Sequence, residues 1–190
     1  VICHEIAHMW FGDLVTMEWW EGIWLNEAFA TFMATMCTNA FRPEWRFWTG
    51  FGIDRDMAMQ VDGLHTTRPI EYEVISPDDT RGMFDVLTYE KGGSVLRMLE
   101  QWLGEETFRD GIRHYLKRHS YANTVTTDLW NALEEKSGQP VTDVANTWIL
   151  QGGHPVVTLT DGNLHQQPFQ YGPARGESAI GSSWLVPVLT

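Results

Sequence analysis

His4, Glu5 and His8 stand in a His-Glu-Ile-Ala-His run, and Glu27 follows after eighteen intervening residues, inside Trp24-Leu25-Asn26-Glu27. Residues four apart on an α-helix lie one above the other on the same face. A helix here would aim both imidazoles at one point and leave Glu5 beside it, in reach of a water held there. This is the pattern of a zinc hydrolase, in which two histidines bind the metal and the glutamate is the general base. Catalytic zinc takes three protein ligands and keeps one position for water. The histidine pair is therefore one ligand short.

Glu27 is the natural candidate for that ligand. Asn26 is a good N-cap residue. Phe29, Phe32, Met33, Met36 and Cys37 then recur at the spacing of one buried helical stripe. Glu27 is thus expected to open a second helix, where its carboxylate can point across to the first. A first-turn glutamate also complements the helix dipole, which would suffice if Glu27 stood alone. Beside a histidine pair at this spacing, metal ligation is the preferred reading.

Residues 1–33, VICHEIAHMWFGDLVTMEWWEGIWLNEAFATFM, resemble the zinc-binding segment of the aminopeptidase N family of gluzincin metallopeptidases, which includes the leukotriene hydrolases. The family pattern HExxHxWFGxxVTxxWWxxxWLNEGFA is matched almost throughout. Two positions depart from the family: Ala28 stands where it usually has Gly, and Ala34 where many members carry another Glu.

The resemblance extends to two later segments. Phe84-Asp85-Val86-Leu87-Thr88-Tyr89-Glu90-Lys91-Gly92-Gly93 is similar to the family's Tyr-x-Lys-Gly element. That implies that Tyr89 stabilises the oxyanion of the tetrahedral intermediate, because a phenol donates a strong hydrogen bond to developing negative charge. Without the resemblance, Tyr89 reads as an interfacial tyrosine with a wet hydroxyl. Gln151-Gly152-Gly153-His154-Pro155-Val156-Val157 resembles the passage from the helical catalytic lobe into a β-sandwich. The family usually has an aromatic where His154 stands, so His154 is assigned no zinc role.

The resemblance therefore implies a zinc aminopeptidase that takes peptides with a free N-terminus. One zinc ion would be held by His4, His8 and Glu27, with Glu5 and Tyr89 catalytic. The implied fold is mainly α: the helical lobe of a thermolysin-like zinc peptidase domain over residues 1–153, then the first strands of a truncated β-sandwich over 154–190. The family's Gly-x-Met-Glu-Asn motif, which grips the substrate's amino group, does not occur in this sequence. The aminopeptidase reading thus rests on resemblance alone. A zinc endopeptidase, an epoxide hydrolase and a non-catalytic binding protein stay open beside it.

Composition narrows the classes further. Net charge is −12, with 25 acidic against 13 basic residues, which argues against nucleic acid, whose binders carry basic patches. No apolar run reaches the length of a membrane span, and a cytoplasmic enzyme is expected. Val1 begins inside an amphipathic helix, so the remainder of the parent catalytic domain is expected upstream. Cys3 and Cys37 do not make a disulfide framework, and Cys3 is expected to be a buried free thiol.

Around the motifs, periodicity predicts the elements. The first helix should run from Val1 to Phe11, stop at Gly12, and pack through Ile2, Ile6, Met9 and Trp10. Trp19, Trp20 and Trp24 should wall the site and fill core. A helix from Pro43 to about Gln60, a long loop over 61–82, and a helix capped by Asp85 and ending near Gly104 follow. Three further helices should carry Phe108, Ile112, Tyr115 and Leu116; Leu129, Trp130 and Leu133, closing at Gly138; and Val141, Val144, Ala145 and Trp148. His114 and His119 are read as surface or helix-end histidines, not ligands. Pro155–Thr160 and 164–167 should pair across an Asp161-Gly162 turn. After a loop over 172–183, a third strand is expected over 184–189.

Overall fold

Trp24 has no exposed surface, and its indole N–H is shared between Glu71 Oε2 at 3.0 Å and Thr126 Oγ1 at 3.1 Å. Three distant stretches of chain therefore meet at one side chain. The computed structural model describes residues 1–172 and 180–189, and most of the buried apolar residues form one cluster around this point.

The described elements run in the order α1 (Ile2–Ala7), β1 (Val15–Met17), a 3-10 turn (Trp20–Ile23), α2 (Trp24–Phe41), a second 3-10 turn (Pro43–Trp45), α3 (Phe47–Asp62) and α4 (Pro77–Arg81). A π-helical turn (Leu87–Lys91) leads into α5 (Gly92–Leu103), followed by α6 (Glu105–Arg118), β2 (Ala122–Thr124), α7 (Thr126–Ser137) and α8 (Val141–Ile149). The chain then forms a hairpin of β3 (Pro155–Thr160) and β4 (Asn163–Pro168). The fold is mainly α, as expected.

α2 is the central element, touching α1, α3 and α5. Phe29 and Phe32 of its predicted stripe are buried, Met33 and Met36 pack against the core, and Cys37 is exposed. The helix opens at Trp24, two residues before the predicted Asn26 cap, because burial of Trp24 and Leu25 outweighs the capping preference of a side chain. Glu27 remains in the first turn. The predicted helix from Pro43 is broken at Arg46, which adopts a left-handed backbone (φ 52°) between the 3-10 turn and α3.

α1 ends at Ala7 and continues as tight turns to Gly12, whose φ of 141° lies in the region open to glycine. Its packing differs from expectation. Ala7 and Phe11 are its buried residues, whereas Ile2, Ile6, Met9 and Trp10 are exposed. One face of α1 lies on α2, and Cys3, Ile6 and Trp10 border an apolar cavity shared with α2 and α6. Cys3 is only half-buried, and both cysteines are free. Trp24 fills core, but Trp19 and Trp20 are largely exposed.

The predicted helix ends hold where glycine supplies a positive φ. Gly104 (φ 84°) closes α5 and Gly138 (φ 64°) closes α7. β1 and β2 pair in parallel, Val15 with Ala122, and tie the metal-motif connector to the distant α6–α7 corner. Inside the predicted loop over 61–82, α4 forms on a capping box in which the Asp79 carboxylate accepts from Ser76 N at 2.7 Å and Ile75 N at 3.1 Å. His114, half-buried, pairs with Glu135 at 2.7 Å near the surface.

The hairpin forms in the predicted register, with positive φ at Asp161 (51°) and Gly162 (79°). The third strand does not form. At Trp184 and Leu185 the backbone is bound by side chains instead: Gln166 bridges both Trp184 N and Trp184 O at 2.8 Å, and Thr147 Oγ1 accepts from Leu185 N at 3.1 Å. Pro187, lacking an N–H, could not complete a ladder. Most of the loop predicted over 172–183 lies outside the described residues.

α2 and α5 touch at an unusually short distance. A Cβ added to Gly92 would lie 2.7 Å from the Cβ of Ala28, next to Glu27. Gly92→Ala is expected to destabilise the protein by about 1–3 kcal/mol through overpacking. Adding Ala28→Gly should recover part of that, so the double variant is more stable than the sum of the singles by about 1 kcal/mol. Urea unfolding of the four proteins measures this; strictly additive effects would mean that the contact is not the cause.

Candidate metal centre

α1 and the first turn of α2 bring three side chains to one point. His4 Nε2 and His8 Nε2 are 3.2 Å apart, and each lies 3.4 Å from Glu27 Oε2. His4, His8 and Glu27 form the sole cluster of three or more potential metal-ligating side chains found among the described residues. The i, i+4 spacing explains the histidine pair, and the packing of α1 on α2 brings Glu27 across.

The shape of this triangle tests whether a metal would fit. Zinc binds histidine nitrogen at about 2.0–2.1 Å and carboxylate oxygen at about 2.0–2.2 Å, with tetrahedral geometry. A tetrahedron with bonds of that length has ligand-to-ligand edges of about 3.3–3.5 Å. Of the three edges observed, two at 3.4 Å fall in this range and the third, at 3.2 Å, lies just below it. The donor chemistry agrees. His8 Nδ1–H donates to the Phe11 carbonyl at 3.0 Å, so its Nε2 presents a lone pair to the centre. A carboxylate oxygen and imidazole lone pairs facing each other this closely suit a cation. Gly12 makes room for this arrangement, since a Cβ there would sit 3.3 Å from His8 O and 3.6 Å from His8 Nδ1.

Glu5 and Tyr89 lie around this triangle. Glu5 is exposed, beside His4 on α1. Tyr89 comes from the π-helical turn, and its ring stacks at 6.2 Å and 20° on His4. Burial, reinforced by the Glu27 and Glu5 carboxylates, pushes its phenol up to about 12. Tyr89 therefore keeps its proton at neutral pH and can donate it in a hydrogen bond. A single turn of π-helix inside an α-helix is a frequent device at functional sites. His154 is absent from this group and lies 3.7 Å from Asp62 instead.

The Peptidase family M1 domain matches residues 1–148. The chain belongs to this family. Among curated proteins, this M1 chain is 44% identical to Aminopeptidase M1 of Arabidopsis thaliana, over 99% of the chain and 21% of that protein. It is 47% identical to Aminopeptidase 2, mitochondrial, of Saccharomyces cerevisiae, over 86% of the chain and 17% of that protein. It is 44% identical to Tricorn protease-interacting factor F2 of Thermoplasma volcanium, over 98% of the chain and 24% of that protein. The chain spans about a fifth of the length of the curated relatives it matches. No described helix of this M1 chain is long and apolar enough to cross a membrane.

Sequence reasoning missed the groups that hold the Tyr89 turn in place. Asp85 Oδ1 accepts from Leu87 N at 2.9 Å and Thr88 N at 3.2 Å, the cap that was predicted. Arg68, which carried no signal, donates to Asp85 Oδ1 at 2.6 Å and to Thr88 Oγ1 at 3.0 Å. Asp62 likewise gave no sign of its pairing with Lys91 at 2.8 Å. Only Lys91 was visible, as the lysine of the Tyr-x-Lys-Gly element.

Proposed function

We propose that this chain is the zinc-binding part of an aminopeptidase that releases N-terminal residues from peptides. The triangle of His4, His8 and Glu27, with edges suited to tetrahedral zinc, carries this reading. The three residues would hold one zinc ion. When bound, the ion supplies Lewis acidity and lowers the pKa of water at the centre.

The chain's own residues account for the proton transfers. Glu5, exposed beside His4, accepts the proton of the attacking water. Tyr89, still protonated, donates a hydrogen bond to the scissile carbonyl oxygen as it gains charge. Glu5 then returns its proton to the leaving amine. Peptides with a free N-terminus are the proposed substrates, in keeping with the aminopeptidase names of the relatives. The proposed division is a helical peptidase part over 1–153 and the start of a β-sandwich over 154–190. In its favour, the helices end at Ile149, the family match ends at residue 148, and the hairpin follows.

The test of exopeptidase action is a comparison of substrates in the full-length polypeptide that carries this chain. A free aminoacyl anilide should be cleaved, and its Nα-acetylated form should be cleaved at least about 100-fold more slowly, because the site would lose its partner for the amino group. Equal cleavage of the two would identify an endopeptidase instead.

A further inference from the structure

Lys91 lies two residues after Tyr89 in the π-helical turn and is directed away from the metal centre. It is almost fully buried, and its ammonium contacts Asp62 Oδ2 at 2.8 Å. It also donates to the Gly153 carbonyl at 3.1 Å and reaches the Gln151 carbonyl at 3.5 Å. Asp62, at the end of α3 and 1% exposed, in turn accepts from Thr67 Oγ1 at 2.7 Å and from Gly153 N at 2.8 Å. His154 Nδ1 lies 3.7 Å from Asp62 Oδ2. Burial alone would raise Asp62, but His154, Lys91 and Thr67 outweigh it and hold the carboxyl at about 2.

A buried ion pair of this kind is poor value as a source of stability, because desolvation offsets much of the attraction. What it supplies is fixed geometry. Lys91 binds one oxygen of Asp62, Thr67 and Gly153 bind the other, and Gly153 is gripped at both its N–H and its carbonyl. The other end of the turn is fixed separately by Asp85 and Arg68. Tyr89 stands between the two anchors. The mechanism uses none of Lys91, Asp62 or Gly153.

We propose that Lys91, through its buried pairing with Asp62 and Gly153, is a positioning residue that sets the Tyr89 hydroxyl over the metal centre. The inference rests on the reading of Tyr89 as the oxyanion donor. It makes the passage at Gly153, where the chain leaves the helical part, the back wall of the Tyr89 turn. A displacement of about 1 Å in a catalytic group costs on the order of 100-fold in rate, so an anchor at this distance can matter without touching substrate.

The test is a double-mutant cycle in the full-length polypeptide, assayed on a free aminoacyl anilide with zinc per chain determined for each variant. Lys91→Met should lower kcat by about 10- to 100-fold, keep one zinc per chain, and leave KM within about threefold. In the Tyr89→Phe background the same substitution should cost no more than about twofold, because the group it positions is already gone. A full further loss in that background would overturn the proposal and make Lys91 a general support of the fold. Wild-type kcat in Tyr89→Phe alone would remove the donor reading itself, and this inference with it, before Lys91 is altered. If circular dichroism shows Lys91→Met unfolded, Asp62→Asn, which keeps the shape of the side chain, takes its place in the cycle with the same expectations.

Discussion

Glu5→Gln is expected to keep zinc at about one per chain while lowering turnover by at least about 1,000-fold. General-base catalysis alone contributes about 100- to 10,000-fold, and Glu5 is proposed to move the proton twice, onto itself from water and then to the leaving amine. The metal should stay because Glu5 contributes none of the three converging atoms: these belong to His4, His8 and Glu27. Glutamine has the same shape, so the exposed side chain of Glu5 can be replaced without disturbing the packing of Ala7 or Phe11 on α2. Elemental analysis and anilide hydrolysis on the same preparation, made from the full-length polypeptide, read both quantities. Zinc lost together with activity would make Glu5 part of the metal site and overturn its assignment as the base.

Glu27→Ala should have the opposite signature: the metal is lost and the fold survives. Glu27 Oε2 stands 3.4 Å from both imidazole nitrogens. Without it, two histidines from one short helix remain, one fewer ligand than catalytic zinc sites use. Affinity should fall on the order of 100-fold or more, since even loss of a supporting outer contact costs about 10- to 100-fold. The helix should persist. A first-turn glutamate contributes about 0.3–1 kcal/mol through the helix dipole, small beside the burial of Trp24, Leu25, Phe29 and Phe32 in the same helix. After dialysis against metal-free buffer, wild type should retain about one zinc per chain and the variant essentially none, with equal helical circular dichroism. A variant that keeps its zinc would place the third ligand elsewhere.

What the sequence disclosed depended on the range of the interaction. The histidine pair was legible because i, i+4 spacing is a local rule, and Glu27 because a flanking motif fixed its partner. Gly104, Gly138 and Asp161-Gly162 were legible because a positive φ leaves a mark in residue type. The Arg68–Asp85 and Asp62–Lys91 pairs were not, since their partners lie 17 and 29 positions apart and answer to no period. The start of α2 was misplaced because tertiary burial of Trp24 outweighed a cap preference that can be read locally. β1 and β2, three residues each, are too short to show alternation. The exposed face of Ile2, Ile6 and Met9 reads as core by composition, and only the disposition of α2 shows which side of α1 is covered.

The meeting of Trp24 with Thr126 and Trp130 also sets an order of events during synthesis. A polypeptide leaves the ribosome N-terminus first at about 5–20 residues per second. All three converging side chains are in place once Glu27 has been made. The wall behind them waits on α7, roughly a hundred residues later, a delay of about 5–20 seconds. Throughout that interval α2 carries Trp24 without the partners that later bury its indole. The final framing of α2, and of Glu27 in its first turn, is thereby deferred until α7 docks.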